Sequence, residues 1–327
     1  AGTAYQFQAG DGASLGTGAL GLARAGHDLL GVPDLDNDGQ TDLAALPRTH
    51  EGVALLVGRG TMRVLRTIPL PRVAGLAGVF ELRGVPTLVA YVEGATPEAT
   101  SEVVAVSLVD GRVVWRIGGQ APFVRVGHPT ELGLSVGPDA SGDGIGDIAV
   151  GLSVPATLSA QQAPSRPRCV QIYSGADGRP VWRAPFCQLR GGGQSVSLGP
   201  DTNGDNRADV VVGTDVSRGG DGRVVLVSGA NAQVLRRVNA PSGASGQGFG
   251  WPVFLGADVT GDARPDFLVG SVGSAGTFVN VLSSTDGARI AEYSVRGASG
   301  YPNRRLVIAD GLVRGGGALT AVGSPED

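Results

Sequence analysis

Four nine-residue segments of this 327-residue chain concentrate carboxylates at a fixed spacing. Residues 34–42, 139–147, 201–209 and 258–266 each carry Asp at the first, fifth and ninth positions and an oxygen-bearing side chain at the third. Gly, Asn or Pro interrupts every copy, so the segments are loops rather than helix faces. Carboxylates this close together repel one another unless a cation compensates them, and Ca²⁺ accepts irregular coordination by oxygen. The pattern therefore predicts about four calcium sites.

The predicted ligands follow from the positions within each loop. We expect positions one, three, five and nine to bind through side-chain oxygens and position seven through its backbone carbonyl. The side-chain ligands are Asp34, Asp36, Asp38, Asp42, Asp139, Ser141, Asp143, Asp147, Asp201, Asn203, Asp205, Asp209, Asp258, Thr260, Asp262 and Asp266. The carbonyl ligands are Gln40, Ile145, Arg207 and Arg264. An Asx-turn repeat without metal is the alternative. Four copies of one pattern favour calcium over that alternative, and magnesium suits the loops less because it demands a stricter octahedron.

The loops belong to a longer internal repeat. Four steps from Asp34 to Asp258 give a mean period of 56 residues, with one copy at 80–90 that keeps its strands but has lost its aspartates, and a second eroded copy at 306–322. Each unit contains four short apolar runs; in the fourth unit these predict strands at 195–199, 209–213, 223–227 and 233–238. Gly-bearing hairpin signals such as Asp177-Gly178 separate the third and fourth runs. Four short strands per repeat of this length predict a β-propeller blade.

We therefore predict an all-β fold, with a single β-propeller domain spanning residues 1–327. The length accommodates six four-stranded blades, whereas seven would be crowded. The predicted blades are 27–70, 75–118, 131–186, 194–240, 251–296, and 304–327 together with 1–10. In the last of these, a strand near the N-terminus completes the blade and closes the ring, which protects the sheet edges.

Two cysteines, Cys169 and Cys187, flank the hairpin turn of the third unit. Folding the hairpin brings them nearly opposite each other, which predicts a disulfide and an oxidising compartment; two buried free thiols are the alternative.

Composition excludes several classes of protein. The formal net charge is −4 without a basic block, which removes the usual footprint of nucleic-acid binding. No apolar run reaches the roughly 18 residues of a membrane-spanning helix. All 26 basic residues are Arg, which we interpret as codon bias in a GC-rich, bacterial genome. The chain starts at Ala1 rather than Met, as expected of a processed or excised segment.

Residues 248–258, Gly-Phe-Gly-Trp-Pro-Val-Phe-Leu-Gly-Ala-Asp, together with the loop that follows, resemble an FG-GAP repeat, the blade unit of integrin α-subunit heads and of many bacterial secreted proteins. Related Gly-Pro-Asp sequences stand at 137–139 and 199–201. The resemblance implies calcium between the first two strands of a blade, on the face opposite the usual ligand surface. Integrin heads have seven blades, whereas this chain supports six.

The resemblance favours an extracellular, cell-surface or periplasmic adhesion module that binds a protein or glycan, as a monomer or as part of a larger surface protein. Its ligand surface would lie on the second-to-third and fourth-to-first connections, with 153–168, Phe249 and Trp251 as candidates. A carbohydrate-binding lectin is the alternative, and an enzyme is less favoured. The Gly-x-Gly-x-x-Gly at 16–21 lacks a βαβ context, and the Gly-x-Ser-x-Gly at 133–137 lies in a repeated first strand, so we expect no catalytic or nucleotide site.

Overall fold

The computed structural model describes residues 3–7, 14–19, 25–47, 52–56, 64–94, 101–118, 133–153, 167–190, 192–214, 222–240, 249–256, 258–273 and 276–295. The described residues form β-strands, turns and loops, with no helix among them. Accordingly, no described segment is a helix that could span a bilayer. The chain divides into two compact units, Ala1–Gln120 and Ala121–Asp327.

In the first unit, an antiparallel N-terminal pair precedes two four-stranded sheets. The pair consists of β1 (Thr3–Phe7) and β2 (Ser14–Ala19). Sheet 1 consists of β3 (Ala25–Val32), β4 (Asp42–Pro47), β5 (Gly52–Leu56) and β6 (Val64–Pro69). Sheet 2 consists of β7 (Val73–Leu82), β8 (Val85–Val92), β9 (Glu102–Ser107) and β10 (Val113–Gly118).

The second unit contains three four-stranded sheets. Sheet 3 consists of β11 (Leu134–Gly137), β12 (Asp147–Ser153), β13 (Pro167–Tyr173) and β14 (Phe186–Arg190). Sheet 4 consists of β15 (Gly192–Gly199), β16 (Asp209–Thr214), β17 (Arg223–Val227) and β18 (Val234–Asn239). Sheet 5 consists of β19 (Val253–Leu255), β20 (Phe267–Gly273), β21 (Gly276–Leu282) and β22 (Arg289–Val295).

Each of the five sheets is an antiparallel meander in which every strand pairs with the next one along the chain. This is the blade of a β-propeller, so the predicted all-β propeller class is confirmed. Residues 304–327, predicted for the last blade, lie outside the described residues, and the closure of that blade by an N-terminal strand stays a prediction. The described N-terminal strand β1 pairs with β2, a strand that the sequence analysis missed.

Neighbouring sheets pack through apolar strands that are buried on both faces. In β16, all six residues from Asp209 to Thr214 are buried, as expected of a strand covered on both sides. One core cluster joins sheets 1 and 2 in the first unit. In the second unit, one cluster joins sheets 3 and 4 and another joins sheets 4 and 5. Burial of these valines and leucines stabilises the stack of blades by about 25 cal/mol per Å² of apolar surface.

Serine side chains also connect the first strands of adjacent sheets. The hydroxyl of Ser135 accepts the backbone N–H of Leu198 at 3.1 Å, and the hydroxyl of Ser197 accepts that of Leu255 at 3.1 Å. The glycine ending each strand makes room for the next sheet, because a β-carbon on Gly137 would lie 2.4 Å from the Leu198 carbonyl oxygen. Ser135 is the serine of the Gly-x-Ser-x-Gly sequence, so its described contact is structural.

The connection between first and second strands has two forms. In sheet 2, only Arg83 and Gly84 join β7 to β8, and both have positive φ, as a type I′ turn requires. This confirms the eroded copy at 80–90, in which the strands remain without the aspartates. In the other four sheets, the aspartate loops make this connection. We call them loop 1 (residues 34–42), loop 2 (139–147), loop 3 (201–209) and loop 4 (258–266).

A disulfide joins Cys169 of β13 to Cys187 of β14, with their Cα atoms 4.2 Å apart. It confirms the predicted pairing. The pairing of β13 with β14 shifts register between Arg168 and Val170, on either side of Cys169. The bond therefore holds the outermost strand of sheet 3 to its neighbour at an irregular point of their pairing.

Replacing both cysteines, as Cys169→Ala with Cys187→Ala, should lower the free energy of unfolding by about 3 kcal/mol, because the closed loop is short and its crosslink restricts the unfolded chain. Urea denaturation of the parent and the variant measures the change. A reducing agent should destabilise the parent by a similar amount and leave the double variant unaffected. Equal stability of parent and variant would contradict a stabilising role for the disulfide.

Candidate metal centre

Each aspartate loop reverses the chain through two residues with positive φ, at its fourth and sixth positions. The fourth-position residues are Asn37, Gly142, Gly204 and Gly261, and the sixth-position residues are Gly39, Gly144, Asn206 and Ala263. Gly and Asn adopt this left-handed conformation at least cost, which explains why they fill seven of these eight positions. All four loops therefore turn at the same two positions between the first and ninth aspartates.

The first aspartate of each loop accepts backbone hydrogen bonds from the residues that follow it. In loop 3, Asp201 accepts the N–H groups of Gly204 at 2.7 Å and Asn206 at 2.6 Å. In loop 4, Asp258 accepts those of Gly261 at 2.6 Å and Ala263 at 2.9 Å. These bonds close the loop around the first carboxylate.

The ninth aspartates are the buried anchors of the loops, with at most 1 % of their surface exposed: Asp42, Asp147, Asp209 and Asp266. In loop 2, one oxygen of Asp147 accepts the N–H groups of Ala140 at 2.8 Å and Ser141 at 2.6 Å. The other oxygen accepts the N–H of Gly175, in the turn between the third and fourth strands, at 3.0 Å. One buried carboxylate thus fixes both the loop and the hairpin turn of its own sheet.

Burial affects the pKa of three of these anchors. Desolvation raises the pKa of Asp147, Asp209 and Asp266 above its usual value, against the opposing effect of the N–H groups they accept. At Asp258, desolvation also acts upward, but hydrogen bonds led by Gly261 outweigh it and hold the pKa low. A cation among these oxygens would favour the charged form of the ninth aspartates and offset their desolvation.

The fifth aspartate connects its loop to the third-to-fourth turn through a hydroxyl. Ser174 donates to Asp143 at 2.9 Å, Ser228 to Asp205 at 3.4 Å, and Thr285 to Asp262 at 2.8 Å. These hydroxyl residues were not singled out from the sequence. Two of them, Ser174 and Ser228, begin their turns as Ser107 and Ser283 do, and this shared serine was visible in the sequence; in sheet 5 the donor is Thr285, two residues further along.

Two loops bring three carboxylates together. Oxygen atoms of Asp34, Asp36 and Asp42 lie within 4.8 Å of one another in loop 1, and in loop 2 the same holds for Asp139, Asp143 and Asp147. Among the described residues, loops 3 and 4 do not reach this convergence, although their aspartates occupy the same positions. An all-oxygen donor set without His or Cys fits a hard divalent cation such as Ca²⁺.

One repeat of the chain is similar to a known family. Residues 192–227, from β15 through loop 3 to β17, match the family model described as FG-GAP repeat. This segment is similar to an FG-GAP repeat. The predicted resemblance is thereby confirmed, and the match contains loop 3 with all its predicted ligands. No curated protein matches the chain.

A solved structure described as "Structure of Dos1 propeller" is similar to this chain, with a TM-score of 0.44 and 8% sequence identity. The match covers 86% of this chain and 64% of that chain. The present chain therefore spans less than two thirds of the length of that structure.

One residue predicted for the ligand surface, Phe249, is not on the surface. Phe249, of the Phe-Gly pair that suggested an FG-GAP repeat in sheet 5, is only 1 % exposed and packs in the core between sheets 4 and 5. It is therefore a core residue rather than a ligand contact. Trp251 is half-buried, and residues 154–166, the greater part of the longest candidate connection, lie outside the described residues.

Proposed function

We propose that this chain is a calcium-stabilised, extracellular β-propeller that acts as an adhesion or protein-interaction module. The observation that carries the calcium assignment is the convergence of three carboxylates in loops 1 and 2. Hydrogen bonds within the loops alone would also suit an Asx-turn repeat. Burial of the ninth aspartates, together with this convergence, favours a cation over that alternative, because uncompensated buried carboxylates are costly.

The remaining predicted ligands complete the proposal. Loops 3 and 4 would bind calcium with the same positions as loops 1 and 2, and the seventh-position carbonyls would supply further oxygens. The ion would supply charge compensation and rigidity. The shape of the loop would come from the side chains themselves, since the first aspartate closes each loop and the ninth joins it to the sheet.

The FG-GAP repeat and the disulfide support an interaction module in an oxidising compartment outside the cytoplasm. Propeller connections at one end of the blades are suited to ligand binding, because they can vary without changing the sheets. We place the ligand surface on the connections opposite the aspartate loops. Trp251 lies at that end of sheet 5, because it precedes β19 and loop 4 follows it.

Binding of the immobilised chain to extracts of cell envelope and to a glycan array tests this function. We expect saturable binding in calcium that is lost in EDTA, and about tenfold weaker binding by Trp251→Ala. The matched control is Tyr293→Ala, an exposed aromatic on the outer strand β22, which should bind as the parent does. Binding to sugars alone would favour the lectin alternative, and binding unaffected by EDTA would contradict the proposal.

A further inference from the structure

Loops 2, 3 and 4 touch one another in sequence order within the second compact unit. The backbone N–H of Ala208, in loop 3, donates to the carbonyl of Asp139, in loop 2, at 2.8 Å. One step further along the chain, the Arg264 guanidinium of loop 4 donates to the carbonyl of Thr202, in loop 3, at 3.1 Å. Loop 2 is therefore bonded to loop 3, and loop 3 to loop 4, each time across the boundary between two sheets.

The two links differ in chemistry for a reason visible in the sequence. Ala208 and Pro265 both occupy the eighth position of their loops, and proline has no N–H to donate. In loop 4 the connection passes instead to the side chain of the preceding residue, Arg264. The backbone bond of one loop is thus replaced by a side-chain bond in the next.

Further contacts tighten the boundary between loops 2 and 3. The Arg207 guanidinium lies over Gly142, and a β-carbon there would overlap it. The backbone of Gly229 lies between the two loops, because a β-carbon on it would approach both the Ala208 carbonyl oxygen and the Ala140 side chain. The indole N–H of Trp182, from sheet 3, donates to the Gly229 carbonyl at 2.6 Å.

Both links end on residues next to predicted ligands. Ala208 precedes the ninth ligand of loop 3, and its acceptor, Asp139, supplies the first ligand of loop 2. Thr202, the acceptor of Arg264, donates its own N–H to the ninth aspartate of loop 3, Asp209, at 2.9 Å. Each link therefore fixes the backbone of a residue whose other groups hold the neighbouring loop in its closed conformation.

We propose that loops 2, 3 and 4 form one coupled array, in which ordering one loop lowers the ordering cost of the next and calcium uptake is positively cooperative. Coupling of this kind requires only that the first ion orders part of the backbone that the second loop must also order, so that the second ion binds at a smaller loss of conformational entropy. This coupling rests on the calcium binding proposed above and adds which loops influence one another and with what sign. Loop 1 is the natural comparison, since sheet 2, the next sheet along its unit, has a two-residue turn in place of an aspartate loop.

Hydrogen exchange of the full chain during a calcium titration reads each loop separately. Asp262→Asn should weaken calcium binding by loop 4. In the chain that still carries Arg264, we expect this change to raise the calcium concentration at which loop 3 is half-protected about fivefold. Arg264→Gln removes the link while leaving the backbone carbonyl in place. In that background, the effect of Asp262→Asn on loop 3 should disappear, as a double-mutant cycle reports for a broken connection.

Two controls keep the result interpretable. Arg183→Gln removes an equal charge from an exposed bend of sheet 3 and should leave the cycle unchanged. Protection of the amides of β12, β16 and β20 shows that the second unit of each variant is folded, and loop 1, in the first unit, should become protected at an unchanged calcium concentration. In a second variant, Ala208→Pro introduces the residue that loop 4 carries at this position, and it should uncouple loop 2 from loop 3.

The outcomes separate the two proposals. Calcium-dependent protection of loop 3 that Asp262→Asn leaves unchanged would overturn the coupling, and an equal shift with and without Arg264→Gln would overturn the link through Arg264; both outcomes leave calcium binding standing. Hydrogen-exchange rates that do not change with calcium in any of the four loops would overturn calcium binding, and the coupling with it.

Discussion

Chelation of divalent cations should lower the melting temperature of the full chain by about 20 °C. At calcium a hundredfold above its dissociation constant, each site adds about 2.7 kcal/mol, so the three loops of residues 121–327 together add about 8 kcal/mol. A change of 1 kcal/mol moves the melting temperature of a unit of this size by about 2–4 °C. Scanning calorimetry in calcium and in EDTA measures the shift.

The reason for so large an effect lies in the ninth aspartates. Without a cation, each aspartate loop keeps a buried carboxylate, and in loops 1 and 2 this carboxylate lies close to two others, as Asp147 does beside Asp139 and Asp143. Calcium in excess should restore the parent melting temperature, and magnesium should restore much less of it. Asp177→Asn, in a turn outside the aspartate loops, should leave the calcium effect intact. An unchanged melting temperature after full chelation would contradict a calcium-stabilised fold.

The repeat was predictable from sequence because its signals are local. In sheet 4 the predicted strands at 209–213 and 223–227 compare with β16 at Asp209–Thr214 and β17 at Arg223–Val227. Strand β2, Ser-Leu-Gly-Thr-Gly-Ala, was missed because glycine and small polar residues give no strand signal, even where the backbone pairs. The left-handed positions of the loops could have been read from Gly and Asn, except at Ala263.

Contacts between distant segments were not predictable in the same way. The bond from Ser174 to Asp143 spans 31 residues, and the bond from Trp182 to Gly229 spans 47. Trp115 and Trp182 both stand three residues after an Asp-Gly-Arg turn, yet Trp182 donates to the Gly229 carbonyl of sheet 4, whereas Trp115 stacks on Phe80 of its own sheet. Phe249 looked like a surface aromatic because it lies in a connection. Spacing along the chain does not specify which side chain a neighbouring sheet will cover.

The second large effect concerns Asp209 in calcium-free buffer. Asp209→Ala should lower the free energy of unfolding by about 3–5 kcal/mol, because it leaves three buried donors without an acceptor, each costing about 1–3 kcal/mol. Those donors are the N–H and hydroxyl of Thr202 and the N–H of Gly229. Urea denaturation in EDTA measures the loss without any contribution from bound metal.

The matched variant is Asp205→Ala, at the exposed fifth position of the same loop, which should cost less than about 1 kcal/mol in EDTA because its partners can turn to water. Asp209→Asn should fall between the two, since it keeps an acceptor for Thr202 and removes a desolvated charge but turns an amide N–H toward that of Gly229. Both alanine variants should lose calcium binding at loop 3, which separates the two roles: the fifth aspartate serves the ion, and the ninth serves the ion and the fold. If Asp205→Ala proved as destabilising in EDTA as Asp209→Ala, the ninth aspartate would not be the anchor of the loop.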